Sequence, residues 1–168
     1  MPLYQTILFD LDGTLTDSAP GILNSVRHAC QRLELPVPEE AVLRRFLGPP
    51  LPASFREYMH LDEAGAQRAV AAFREYYPTK GIFENAVYPG IPALLADLKA
   101  AGRTVVMATS KPEVFARQIM EHFSLDGYFD AICGAASDET RTDKGDVIAY
   151  ALETAGITRT EGVVMVGD

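Results

Sequence analysis

An α/β fold is the expectation for this chain: a parallel sheet with helices on both faces, interrupted once by an all-helical insertion. Three features of the 168-residue sequence predict it. Short apolar runs rich in strand formers alternate with helical patterns, which is the rhythm of right-handed strand–helix–strand crossovers. The runs are apolar at consecutive rather than alternate positions, as in strands buried on both faces. Between the first run and the second lie several helical segments and no convincing strand, so that stretch stands outside the sheet.

The first strand is expected over residues 5–10, Gln-Thr-Ile-Leu-Phe-Asp, where an apolar run stops at a Gly-containing acidic turn. From about 17 to 85 the rhythm breaks into helical segments near 21–33, 39–46 and 62–77. Pro36, Pro38, Pro49, Pro50 and Pro52 punctuate the turns of this insertion, and Tyr88-Pro89-Gly90 marks the return to the sheet. A helix over 91–101, closed by Gly102, precedes a strand over 104–108. A helix over 112–123, a strand over 129–133, a helix over 144–155 closed by Gly156 and a strand over 162–166 complete the series. In sheets of this kind ligand sites collect at the carboxyl ends of the strands.

Length allows one well-buried core with a small inserted module. Apolar residues make up 48% and no low-complexity run occurs, so a folded globular protein is expected. The net charge of −8 argues against nucleic-acid polymers and anionic membranes as partners, because those polyanions are bound through clustered Lys and Arg. It leaves room for a small anionic substrate, since a metal ion and a few nearby cations make a positive pocket in an acidic protein. Cys30 and Cys133 are the only cysteines and sit far apart, which does not make a disulfide framework. The absence of a signal-like start and of any apolar run near membrane-spanning length gives a cytoplasmic location as the default expectation. His28, His60 and His122 lack metal-ligand spacing.

Asp10 and Asp12 lie two apart at the end of the first strand, so extended geometry points both carboxylates to one side. Two like charges in one place call for a cation between them or for an acid/base pair. By itself the pair also fits an ordinary Asp-Gly turn. Thr109-Ser110 follows the second strand, and Ser110-Lys111-Pro112-Glu113 matches a capping box for the next helix, whose N-terminus would suit a phosphate. Lys144, in Thr142-Asp143-Lys144-Gly145-Asp146, follows the third strand and alone would read as a solvated lysine. Val166-Gly167-Asp168 follows the fourth.

The string Phe9-Asp10-Leu11-Asp12-Gly13-Thr14-Leu15 resembles the signature of the haloacid dehalogenase superfamily, and the later motifs stand in the order and at the strand ends where that family carries its own. The resemblance spans residues 7–168. It implies a Rossmann-like core formed by 1–15 and 87–168, a helical cap over 16–86, and a magnesium-dependent phosphatase working through an aspartyl-phosphate. Carried onto this sequence, Asp10 is the nucleophile and Asp12 the general acid/base. Thr109, with Ser110 beside it, holds the phosphoryl group, and Lys144 neutralises charge on Asp10 and phosphate. Asp10, the backbone carbonyl of Asp12 and Asp168 would ligate Mg²⁺, an all-oxygen set suited to that ion. Lys111 stands where related phosphatases often carry Lys, and either joins the site or only flanks it. The family's last motif continues beyond Gly-Asp with another acidic residue, a helix and a strand. This sequence stops at Asp168, so the C-terminal part of the core is expected to be missing.

A cap of this kind closes over the core site, which implies a small phosphorylated metabolite as substrate. Within it Arg45-Phe46-Leu47-Gly48-Pro49-Pro50-Leu51 resembles the specificity loop of phosphoglycolate phosphatase-like enzymes. Arg45 there would meet a substrate carboxylate or second phosphate, or else serve as a solvated helix Arg. Phosphoglycolate phosphatase-like activity is the first expectation. The alternatives are a 5′-nucleotidase, a β-phosphoglucomutase-like phosphomutase, and a non-catalytic binding protein should the missing remainder be absent from the natural protein. Oligomeric state is not legible.

Overall fold

A computed structural model describes residues 4–136 and 140–167 and divides the chain into two compact units. The first unit holds the chain up to Asp17 and from Ala86 onward; the second is Ser18–Asn85.

The first unit starts with β1 (Thr6–Phe9) and the short β2 (Thr16–Asp17). It resumes with β3 (Ala86–Val87), then α5 (Ile91–Ala100), β4 (Thr104–Pro112), α6 (Glu113–His122), β5 (Ala131–Ala135), α7 (Lys144–Thr154) and β6 (Val163–Val166), the helices being numbered after the four that intervene. Four strands form one parallel sheet in the order β5-β4-β1-β6, with Phe9 opposite Met107 on one side and Val166 on the other. From β1 the chain moves outward through β4 to β5, then returns across to β6. Right-handed crossovers therefore put α5 and α6 on one face and α7 on the other. On the α7 face Val147 and Ala151 pack into a buried cluster with Leu8, Val106, Ala108 and Cys133. The reversal of strand order falls beside the carboxyl end of β1, where sheets of this type leave a crevice.

The expected strands and helices of this unit all occur, with three shifts. β4 runs on to Pro112 through an irregularity after Ala108. A residue before proline is held extended, so Lys111 continues the strand and α6 begins only at Glu113. The capping box offered by Ser110 does not form: Pro112 precedes the helix without a side-chain cap, and Ser110 is exposed. β5 starts at Ala131 instead of residue 129 because Asp130 occupies its amino end with a different job. There the Asp130 carboxylate accepts from Val105 N at 2.8 Å and takes Lys99 Nζ at 2.7 Å. Burial pushes that carboxyl up, but Lys99 and the Val105 N–H outweigh it and hold it below its ordinary value. Burial likewise pushes the Cys133 thiol up.

The second unit is helical: α1 (Ala19–Arg32), α2 (Glu40–Leu43), α3 (Leu51–Met59) and α4 (Glu63–Tyr76). Its core includes Leu23, Val26, Cys30, Phe46, Phe55, Ala69, Val70 and Phe73. α3 was not foreseen, because Pro49, Pro50 and Pro52 read as turn residues. Pro52 instead sits in the first turn of α3, where the missing N–H has no helical partner to lose. The paired β2 and β3, with Asp17 opposite Ala86, were also missed; two-residue strands carry no periodic signal. No helix among the described residues is long and apolar enough to cross a membrane.

Candidate active site

The loop after β1 folds tightly around one acceptor. Leu11 O takes the N–H groups of Thr14, Leu15 and Thr16 at 3.1, 2.9 and 3.2 Å, and the Leu11 and Leu15 side chains are fully buried beneath it. Asp10, just before Leu11, and Asp12, just after it, carry the loop's carboxylates. Asp10 Oδ1 accepts from Leu11 N at 2.7 Å, which fixes the carboxylate relative to its own backbone. Asp10 N donates to Val166 O at 2.9 Å, so the end of β6 lies alongside. A methyl group added at Gly167 would meet Asp10 Cβ at 3.2 Å, so glycine there lets the β6 end approach the carboxylate closely.

Each carboxylate takes one lysine. Lys144 Nζ, from the first turn of α7, lies 2.6 Å from Asp10 Oδ2. Lys111 Nζ, from the end of β4, lies 3.0 Å from Asp12 Oδ2, and its side chain is only 7% exposed. Thr109 is buried, and its Oγ1 accepts from Lys111 N at 3.2 Å, which leaves the hydroxyl proton available to another acceptor. The Asp143 carboxylate caps α7 by accepting from Gly145 N at 2.7 Å, fixing the helix start that carries Lys144.

Asp10, Asp12, Thr109, Lys111 and Lys144 thus form one connected array at the carboxyl ends of β1 and β4 and the start of α7. Ser110 faces solvent beside it. Asp168 lies outside the described residues. Arg45 belongs to the second unit, where its guanidinium sits 4.2 Å from the Tyr58 ring centroid and 3.5 Å from Glu57 Oε1.

The fit of a hard divalent cation can be judged from the donors. The described residues set two carboxylates against two lysines, so a phosphate dianion would arrive at a site with no net positive charge to receive it. Asp12 Oδ1 is buried and has no hydrogen-bond partner among the described residues, an oxygen acceptor left unsatisfied in a place where that is costly. All the candidate donors are oxygens, the chemistry Mg²⁺ takes. Among the described residues no cluster of three or more potential ligands occurs; Asp10 and Asp12 are a pair, and the expected third, Asp168, lies beyond them.

The sequence left Lys111 open, and charge balance could have decided it: two adjacent carboxylates ask for a second cation besides Lys144. Gly134 and Arg141 were not singled out at all, and Glu113 entered only as the end of a capping box that does not form. All three lie beside the array and not in it.

The family model for haloacid dehalogenase-like hydrolases matches residues 7–168, and the chain belongs to that family. Among relatives, a 5′-nucleotidase of Pseudomonas aeruginosa is 47% identical over 98% of this chain and 74% of its own length. Tyrosine-protein kinase PtkA of Mycobacterium tuberculosis is 44% identical over 98% of this chain, which spans only 55% of that protein. A phosphoglycolate phosphatase of Mesorhizobium japonicum is 30% identical over 96% of this chain and 73% of its own length. A solved structure from Clostridium acetobutylicum, described as a predicted phosphatase, superposes with a TM-score of 0.87 at 49% identity, covering 99% of this chain and 77% of that one.

Proposed function

We propose that this chain carries the core of a magnesium-dependent phosphatase that hydrolyses small-molecule phosphate monoesters through an aspartyl-phosphate on Asp10. The observation that supports it most is the pairing of each loop carboxylate with its own lysine, Lys144 on Asp10 and Lys111 on Asp12. One carboxylate can then act as nucleophile and the other as proton carrier, each held in place by its own cation.

An Asp10 oxygen attacks phosphorus in line with the ester oxygen; the new O–P bond forms as the ester P–O bond breaks. Asp12 gives its proton to the departing alkoxide, so the alcohol leaves neutral. Thr109 donates its hydroxyl to a phosphoryl oxygen, and Lys144 offsets the repulsion between Asp10 and the incoming dianion. Water then attacks the acyl phosphate while Asp12 takes up its proton, releasing inorganic phosphate and restoring the Asp10 carboxylate. Mg²⁺, held by Asp10, the backbone carbonyl of Asp12 and Asp168, would supply the positive charge that the two lysines alone do not provide.

For substrate we place nucleoside 5′-monophosphates first, on the strength of the 47% identical relative named 5′-nucleotidase. Phosphoglycolate comes second: the relative with that name is 30% identical, and Arg45, the group that would read its carboxylate, is already engaged by Glu57 and Tyr58. Release of inorganic phosphate from AMP, GMP, phosphoglycolate and sugar phosphates, with Mg²⁺ and with chelator, tests both levels using protein from the full reading frame. Asp10→Asn is expected to stay folded by circular dichroism and to lose turnover by at least about a thousandfold. Retained magnesium-dependent hydrolysis by that variant would overturn the nucleophile assignment. Labelled phosphate passing to a protein tyrosine instead of water would favour the activity for which the mycobacterial relative is named.

A further inference from the structure

We infer that Arg141 and Glu113 form a clasp on Gly134 that positions Lys144 and Lys111, making Arg141 a positioning residue for the chemistry proposed above, on which this inference rests. Lys111 and Lys144 come from separate elements, the end of β4 and the start of α7. Both must deliver an ammonium to the same short loop. A lysine side chain has four rotatable carbons, so its end is only as well placed as its Cα.

Gly134, in the edge strand β5, is gripped on both sides of its residue. Its N–H donates to Glu113 Oε2 at 3.2 Å, and its carbonyl accepts from Arg141 Nε at 2.9 Å. The two side chains also face each other, with Arg141 Nη2 3.5 Å from Glu113 Oε2, and each is only 22% exposed. Glu113 stands two residues beyond Lys111; Arg141 stands three before Lys144. The clasp therefore ties together the two backbone segments that carry the lysines, through a strand that contributes no side chain to the site.

Further bonds stiffen each end. Glu113 Oε1 accepts from Arg117 Nη2 at 2.9 Å, and the same nitrogen reaches Ile132 O at 2.8 Å. The Arg141 guanidinium stacks 3.6 Å from the centroid of Tyr150, a residue of α7, and Arg141 O accepts from Ala136 N at 2.9 Å. Arg141 thus touches β5, the start of α6 and the body of α7 with one planar group. An ion pair that served stability alone would have no need to join these particular segments.

The test uses Arg141→Lys and Arg141→Ala in the full-length protein. Lysine keeps the charge and one bond to Gly134 O but cannot supply the planar fork or the stack. Arg141→Lys is expected to lower the melting temperature by no more than about 3 °C. Its kcat should nevertheless fall roughly tenfold to a hundredfold, the cost of displacing charge by a fraction of an ångström to an ångström. Added to a protein already carrying both Lys111→Gln and Lys144→Gln, either Arg141 variant should cost little more, because it acts through those two lysines; full multiplication of the effects would overturn the inference. A readout independent of turnover is the rate at which acetic anhydride modifies each lysine, followed by mass spectrometry. Lys144 and Lys111 should react several-fold faster in Arg141→Lys than in the parent, with Lys80 unchanged. Unchanged rates at both would refute the clasp even if the protein hydrolysed nothing. A parent protein without phosphatase activity but with the reactivity change would refute only the proposed function.

Discussion

Gly134→Ala is the sharpest single test of how the site is braced. A Cβ built there would lie 2.5 Å from Lys111 O, 2.6 Å from Glu113 Cα and 2.7 Å from Glu113 N, all backbone atoms with no side-chain rotamer to give way. Ordinary contact begins near 3.4 Å, so β5 and the Lys111–Glu113 segment must part by about 0.9 Å. β5 lies at the edge of the sheet and is the freer partner, but moving it outward strains the Glu113 contact to Gly134 N and the pairing of Ala135 with Pro112. Moving the other segment pulls Lys111 away from Asp12, where the present separation is 3.0 Å. Overpacking of this kind costs about 2 kcal/mol. In a protein of this size that lowers the melting temperature by about 4–8 °C. Displacement of Lys111 should lower kcat by roughly tenfold to a hundredfold. Thermal unfolding by circular dichroism and phosphate release under saturating substrate measure the two effects separately. Gly127→Ala, where an added methyl meets nothing within 4 Å, is the control and should change neither. A Gly134→Ala protein with the parent's melting temperature and kcat would refute both the close approach and its bearing on the site.

Two more outcomes follow from the charges. Lys144→Gln should lower kcat/KM by about a hundredfold to a thousandfold in a phosphate-release assay, and Lys144→Arg should not restore it; full activity in either would remove Lys144 from the mechanism. Asp130→Asn should cost about 1 kcal/mol or less in urea unfolding at neutral pH, since both Asp130 and Lys99 keep considerable exposure. An acid held below its ordinary value of 3.8 stabilises the fold above that pH and stops doing so as pH falls through its folded value. The gap between parent and variant should therefore be constant above about pH 5 and close below about pH 4; a gap that widened in acid would contradict the assigned direction.

The core was legible because its strands are consecutive apolar runs, and Asp10, Thr109 and Gly167 each follow one directly. What escaped was encoded by contact across the sheet instead of along the chain. Along the chain Lys111 could either join the site or flank it, and only its Nζ on Asp12 decides between them. Ser110 was offered both as a cap and as a neighbour of the phosphate, and the cap fails because Pro112 keeps the strand extended past it. Arg141 and Glu113 lie 28 positions apart, and nothing local says that they meet on one glycine. In the second unit α3 was hidden by prolines that serve equally well in a turn or a first helical turn. Arg45 was found as a candidate, but its engagement by Tyr58 and Glu57 depends on how α3 is placed.

The choice between lysine and arginine across this site follows a physical division of labour. On the mechanism proposed above, the attacking oxygen of Asp10 has to stay free along the line to phosphorus, and a planar guanidinium that forked both Asp10 oxygens would cover that line. A compact ammonium at 2.6 Å from Oδ2 offsets charge while Oδ1 remains on the Leu11 N–H, so each oxygen keeps a distinct environment. Lys111 treats Asp12 the same way, leaving Asp12 Oδ1 without a partner among the described residues. At the clasp the demand is opposite. No atom there must move during turnover, and a rigid fork stacked on Tyr150 holds direction as well as distance. Exchanging the two cation types would therefore fail at both places for different reasons: Lys144→Arg by obstructing the reacting oxygen, and Arg141→Lys by letting the backbone beneath Lys144 drift.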